Sequence, residues 1–325
     1  MTGALLHVQG LKVEFKVYEG VLKVLNGVQM VVHEGERMGL VGEAGCGKTT
    51  TMKCVLRILP SPPGKITAGQ ILFHGRDVLK MTFHQVQRVR GRGIAMIFQD
   101  PTAALNPVFT IGDQLMSVIK YGSRDSLGAR EVRSRAVAVL HEVQLPDPER
   151  ILTNYPIQLS GGMRQRVCIA MALSTEPELL IADEPTTSLD VTIQDQILRL
   201  LNALVERRST SVIFITHSLG VVREMADRVY VMYAGSIIES AAKEELFSNP
   251  LHPYTQGLMR AVPKLTGGGI AEGIPGRIPD YLNPPAGCRF QPRCPHAWAR
   301  CVNEVPTLHE VGQGHEVACF RFQEQ

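Results

Sequence analysis

Apolar and polar residues alternate in "LLHVQGLKVEFKV" and again in "VLNGVQMVVHEGE", and that period of two predicts antiparallel strands with one buried face. Three shorter runs, "RMGLVG" (37–42), "LLIADE" (179–184) and "SVIFIT" (211–216), are apolar without alternation, as expected for strands buried on both faces. Between them the period lengthens: in "AREVRSRAVAVLHEV", Val132, Ala136, Val139, Leu140 and Val143 share one helical face, with Arg and Glu on the other. The pattern predicts an α/β fold, a mostly parallel sheet with helices on both sides, opened by an antiparallel N-terminal layer. A helical insert is expected at about residues 97–160. After "VMYAGSIIES", read as a closing hairpin, "TGGGIAEGIPGRIPDYLNPPAG" is rich in Gly and Pro and has no period. Residues 1–250 are therefore expected to form the main domain and 251–325 a loop-rich C-terminal one.

Composition narrows the class. With 325 residues, 44% apolar and 20% charged, the chain has the make-up of a globular protein rather than a disordered one. A net charge of +3 without a basic run does not advertise a nucleic-acid groove or a polybasic anchor. The N-terminus lacks the charged and apolar regions of a signal peptide, and the uncharged stretch 209–222 is 14 residues, too short to span a bilayer. A reducing cytosolic location is the expectation, where clustered cysteines hold metal or do redox chemistry more often than they pair.

The chemistry begins at "GEAGCGKT", Gly42 to Thr49, which fits G-x-x-x-x-G-K-[ST] between a buried strand and the helix-like "TTMKCVLRIL". Its glycines let successive amide N–H groups turn inward on phosphates, and the helix N-terminus adds partial positive charge. Lys48 is expected to bridge the β- and γ-phosphates and the Thr49 hydroxyl to ligate Mg²⁺. "LLIADE" runs four apolar residues into Asp183 and Glu184 at a strand's C-terminal end, where ligands of open α/β sheets bind. Asp183 is expected to hold Mg²⁺ and Glu184 to polarise the attacking water.

A third stretch selects among P-loop proteins. "LSGGM", Leu159 to Met163, resembles the signature sequence of ABC ATPases, and the other elements stand in that family's order. They are "FQDP" with Gln99 as the Q-loop, "SLD" (Ser188 to Asp190) as the D-loop, and "ITHS" with His217 as the switch histidine. The resemblance implies a P-loop NTPase (RecA-like) ABC cassette with an antiparallel β subdomain and a helical subdomain. It also implies a phosphate cradle of Gly42, Glu43, Ala44, Gly45, Cys46, Gly47, Lys48, Thr49 and Thr50. Ser160, Gly161 and Gly162 would close on ATP bound to a second ATPase subunit. Gln99 would join Thr49 and Asp183 at Mg²⁺, and His217 would contact the γ-phosphate and orient water with Glu184. An aromatic platform for adenine is expected ahead of the P-loop, at Tyr18 or else Phe15. Ala44 and Cys46 stand where the family usually has serine, and Ser218 where it commonly has aspartate.

The tail narrows the resemblance. "NPLHPYTQGL", "IPG", "GCRFQPRCPHAWARC" and "VAC" are similar to the C-terminal region of dipeptide/oligopeptide importer ATPases, a branch that also includes nickel importers. This implies the energy-coupling ATPase of an importer, peripheral on the cytoplasmic face of the inner membrane. Its implied partners are a second, homologous ATPase, two permease subunits and an external solute-binding protein, with no nucleic acid. A soluble ABC protein acting on DNA or ribosomes, or a kinase, is the competing class; the uninterrupted single cassette speaks against the first and the signature against the second. Cys288, Cys294, Cys301 and Cys319 are spaced C-x5-C-x6-C-x17-C, without the C-x2-C knuckle of structural zinc. Four thiolates suit a 4Fe–4S cluster or zinc, and free or disulfide-bonded cysteines are the remaining reading. Several members of the similar branch carry a 4Fe–4S cluster at this pattern. His296, His309 and His315 are read as bystanders, and Cys46, Cys54 and Cys168 as incidental.

Overall fold

Strand β1 (Ala4–Val17) and strand β2 (Gly20–His33) form an antiparallel hairpin, pairing Val17 with Gly20 at the tip and Ala4 with His33 at the base. The computed structural model describes residues 3–123, 126–187, 189–261 and 273–323. Leu6, Val8, Leu11 and Val13 of β1 and Val28, Met30 and Val32 of β2 supply a fully buried face, as the alternation predicts.

After β3 (Arg37–Val41) and the helix Lys48–Val55, strand β4 (Gly64–Phe73) adds to the other edge of β1, and β5 (Arg76–Asp77) follows it in the order β2-β1-β4-β5. The sequence reading misses β4 because most of its residues are half-buried or exposed, so the period of two fades. Gly69 sits where the β1–β4 register shifts; it has φ +100°, and a Cβ there would stand 2.6 Å from the Leu11 Cα.

The chain divides into two compact units, Met1–Lys80 with Ile215–Gln325, and Met81–Phe214. In the second, β6 (Ile94–Ile97) runs parallel to β7 (Leu179–Asp183); β8 (Ser211–Thr216), next to β7 in the sheet order, has its first four residues in this unit. All five residues of β7 and all six of β8 are buried, the expected signature of central strands. The helices of this unit include Ala129–Glu142, whose Val132, Ala136, Val139 and Leu140 are buried as the helical spacing predicts.

In the first unit, β9 (Arg228–Tyr233) lies parallel to β3, pairing Leu40 with Tyr230, and antiparallel to β10 (Ser236–Ala242) across the expected hairpin. The C-terminal segment then extends this sheet: β12 (His315–Val317) pairs with β10 and with β11 (His309–Gly312). Arg228 ties the first unit's two sheets together, donating from Nε to Glu36 at 2.6 Å and from Nη2 to the Val31 carbonyl at 2.6 Å. Among the described residues no helix is long and apolar enough to cross a membrane.

Candidate functional site

The phosphate loop leaves β3 at Gly42 and enters the helix Lys48–Val55 through Gly47. Gly42, Gly45 and Gly47 have φ of +156°, +78° and +109°, values that a side chain resists. Space adds a second demand at two of them. A Cβ on Gly42 would meet the Met232 carbonyl oxygen at 2.2 Å, and one on Gly47 would meet the Leu25 Cδ2 at 2.6 Å. The Lys48 ammonium lies buried along the loop, donating to the carbonyls of Gly42 at 2.7 Å and Glu43 at 3.1 Å. Cys46 is wholly buried, its amide bonded to the Glu43 carbonyl at 3.3 Å and its own carbonyl to the Gly235 amide at 2.8 Å. Burial pushes its thiol up, against the pull of the Lys48 charge.

The same unit holds two more of the expected residues. Tyr18 stands fully exposed in the β1–β2 turn, whereas Phe15 is half-buried within β1. His217 is exposed directly after β8, where the Ser218 amide closes on the Thr216 hydroxyl at 3.0 Å.

In the second unit, β7 delivers Asp183, 2% exposed, at its last position, and Glu184 turns the chain with φ +45°. A non-glycine residue in that region is held there by its surroundings. Oε2 of Glu184 accepts from the Gln99 side-chain amide at 3.0 Å and from the Thr187 hydroxyl at 2.9 Å. The unit thus brings Gln99 and Glu184 together directly, as two elements of one polar cluster.

Ser160 caps the helix Gly161–Leu173, its hydroxyl accepting from the Met163 amide at 3.3 Å. Ser160 and Gly161 are exposed, so this helix begins at the surface. Gly162 is required by packing: a Cβ would stand 2.9 Å from Ile193 Cγ2 on the helix Val191–Arg208. Asp190 caps that helix through the Ile193 amide at 3.0 Å. Ser188, the first D-loop residue, lies outside the described residues.

Cys288, Cys294, Cys301 and Cys319 line one cavity of about 20 Å³, together with His296 and Trp298. None of the chain's cysteines is disulfide-bonded. The Cys288 amide bonds to the Cys301 carbonyl at 2.8 Å, which fixes the first and third cysteines to each other. Burial pushes the Cys288 thiol up to about 11, with the neighbouring thiols adding to the shift, and burial also raises Cys294 and Cys319. Among the described residues no group of three or more His, Cys, Asp or Glu side chains stands ready-made in metal-binding geometry. The donor set itself, four thiols around one small cavity, is that of a soft metal or cluster. Cys54 and Cys168 are buried in helices, their thiols pushed up to about 12 by burial, and they belong to the cores.

Three residues that sequence patterns do not single out also touch the phosphate loop. Arg293 forms a two-point ion pair with Glu43, the Tyr281 hydroxyl donates to the Gly45 carbonyl at 2.8 Å, and the Glu43 amide donates to the Tyr254 hydroxyl at 2.9 Å. Tyr254 and Arg293 lie in the quoted C-terminal stretches "NPLHPYTQGL" and "GCRFQPRCPHAWARC", but nothing in those patterns points to the phosphate loop some 200 or more positions earlier.

Comparison with known proteins matches residues 25–187 to the ABC transporter family and residues 238–301 to the oligopeptide/dipeptide transporter C-terminal region. A probable peptide ABC transporter ATP-binding protein of Sinorhizobium fredii is 48% identical over 98% of this chain and 96% of its own length. An oligopeptide transport ATP-binding protein of Bacillus subtilis is 44% identical over 96% of this chain and 87% of its own. A probable D,D-dipeptide transport ATP-binding protein of Escherichia coli is 43% identical over 100% and 99%. Among solved structures, a dimeric ATP-binding cassette bound to ADP and Pi superposes with a TM-score of 0.65 at 26% identity, covering 73% of this chain and 98% of that one.

Proposed function

This chain belongs to the ABC transporter ATPases, in the branch that carries the oligopeptide/dipeptide C-terminal region, and from that premise we propose how its residues drive import. It is the ATP-hydrolysing subunit of a peptide ABC importer, and its fold is the ABC cassette. Gly42 to Thr50 hold the phosphates of ATP through amide N–H groups and the Lys48 ammonium. The Thr49 hydroxyl, the Asp183 carboxylate and Gln99 hold Mg²⁺; oxygen donors of this kind suit a hard cation, which neutralises charge on the β- and γ-phosphates when bound. Glu184 is the general base that polarises the attacking water, Gln99 orients its carboxylate, and His217 contacts the γ-phosphate. The Gln99–Glu184 hydrogen bond at 3.0 Å carries this assignment.

The exposed cap at Ser160, Gly161 and Gly162 closes on ATP held by a second, homologous ATPase, a heterodimer being the reading the branch favours. Permease subunits form the path, with a solute-binding protein outside, and the chain sits peripherally on the cytoplasmic face of the inner membrane. Tyr18, fully exposed at the hairpin tip, is the adenine platform. Residues 1–250 are the nucleotide-binding domain, with a helical subdomain at about 97–160, and 251–325 form the C-terminal domain. There Cys288, Cys294, Cys301 and Cys319 hold a 4Fe–4S cluster or, in its place, zinc. Such a centre cross-links a segment with little apolar core of its own. The convergence of the four thiols on one cavity supports it.

The test is reconstitution with the cognate permeases and binding protein in liposomes. ATP hydrolysis stimulated by di- or oligopeptide is the result expected. Stimulation by Ni²⁺ but not by peptide would replace the cargo, and tight binding to nucleic acid or ribosomes without permease binding would overturn the importer reading.

A further inference from the structure

The phosphate loop carries an acidic side chain, Glu43, one residue after its first glycine. Left alone, that carboxylate would repel the nucleotide's phosphates, because like charges within about 10 Å interact appreciably before salt screens them. It is not left alone. Arg293 meets it through two parallel bonds, Nη1 to Oε2 at 3.0 Å and Nη2 to Oε1 at 3.1 Å, the fork geometry that favours arginine over lysine. The same guanidinium donates from Nε to the Pro275 carbonyl at 2.8 Å, from Nη2 to the Ile274 carbonyl at 3.0 Å, and from Nη1 to the Tyr233 hydroxyl at 3.3 Å. Those five bonds match the five N–H donors of an arginine, and the side chain is only 5% exposed. The group is therefore immobilised before any nucleotide arrives.

The backbone of the loop is held from the same side. Tyr281 binds the Gly45 carbonyl and Tyr254 the Glu43 amide, while Arg289 donates to the Ala234 carbonyl at 2.5 Å, next to the Gly235 amide that holds Cys46. Arg289 directly follows Cys288, and Arg293 directly precedes Cys294.

We propose that Arg293 is a positioning residue for nucleotide binding: by neutralising Glu43 it lets an acid stand in the phosphate loop, and with Tyr281 it makes the loop's grip on ATP depend on the C-terminal region. This rests on the reading of Gly42–Thr50 as the ATP cradle, which MgATP binding by the unaltered chain tests separately. The work of Arg293 is electrostatic and acts on the phosphates that the loop holds, so its loss is felt most by a nucleotide that carries the β- and γ-phosphates and is relieved when Glu43 loses its charge.

The experiment measures MgATP and AMP affinity of the full-length chain by equilibrium binding, with KM and kcat for hydrolysis alongside. R293A is expected to weaken MgATP about tenfold and AMP much less, to raise KM, and to leave kcat within about threefold. The double variant E43Q/R293A is expected to return to within about threefold of the unaltered chain, with R293K intermediate because it keeps the charge and loses the fork. If R293A fails to fold, R293K and the double variant carry the same comparison. Unchanged MgATP affinity in R293A or R293K would overturn the proposal, as would a double variant no better than R293A or R293K.

Discussion

The side-chain amide of Gln99 donates to Oε2 of Glu184 at 3.0 Å, and the Thr187 hydroxyl reaches the same oxygen at 2.9 Å. Two donors on one oxygen fix the rotation of the carboxylate about its axis, so the direction in which it can accept a proton from water is set by the Q-loop. A hydrogen bond to a charged group contributes about 1.5–3 kcal/mol. Gln99→Ala is therefore expected to lower kcat about tenfold or more and, because Gln99 is also assigned to Mg²⁺, to weaken MgATP binding as well. Steady-state and binding measurements on the same preparation check this.

Gly42 combines a φ of +156° with a Cβ position 2.2 Å from the Met232 carbonyl oxygen. Backbone cannot move aside as a flexible side chain can. Gly42→Ala is expected to destabilise the chain by about 2 kcal/mol or more, with a matching fall in Tm. Gly45→Ala, whose added Cβ meets nothing within 4 Å, is expected to show only the smaller cost of its φ of +78°. Calorimetric unfolding of the two variants side by side gives the comparison.

Much of this was legible in the sequence. The phosphate loop, the acidic pair and the signature follow from local spacing, because each depends on a strand end, a glycine turn or a helix start that neighbouring residues dictate. The edge strand at Gly64–Phe73 was not legible, since exposure erases its alternation. Nor was the pairing of β12 with β10, which joins His315–Val317 to a strand some 75 residues earlier, the scale of separation at which local pattern carries no information. The clamp of Arg293 on Glu43 spans 250 positions and was hidden for the same reason.

The pairing of β12 with β10 is expected to depend on pH. His315, 4% exposed on its side chain, places Nε2 2.9 Å from the fully buried Glu239 carboxylate and Nδ1 3.5 Å from Glu245. The same Glu239 accepts the amides of Leu251 and His252, and burial holds the His252 imidazole down at about 4. For His315, burial opposes the charge, but the bonds to Glu239 and Glu245 prevail and raise its pKa above the ordinary 6.5. A raised folded-state pKa means the stabilisation is complete below the ordinary value and is lost as pH rises through the raised one. The Tm difference between the unaltered chain and His315→Gln is therefore expected to be larger at about pH 6 than at about pH 9. Thermal melts across that range read it directly.

The four C-terminal thiols make a further prediction. Purified without air, the chain is expected to carry iron and sulfide with a broad absorption near about 400 nm, as Cys-ligated clusters do. Cys294→Ser is expected to lose that absorption and to lower Tm. Because Arg293 adjoins Cys294, the same variant is expected to weaken MgATP binding. Stoichiometric zinc without iron would replace the cluster, and neither metal would remove the centre.

The most direct measurement is ATP-driven peptide uptake into liposomes containing the assembled transporter, with Glu184→Gln beside the unaltered chain. The variant is expected to bind MgATP within about threefold of normal, to hydrolyse it about a hundredfold or more slower, and to accumulate no peptide. Uptake and hydrolysis at near-normal rates in Glu184→Gln would contradict the assignment of Glu184 as the base through which this subunit converts ATP into peptide import.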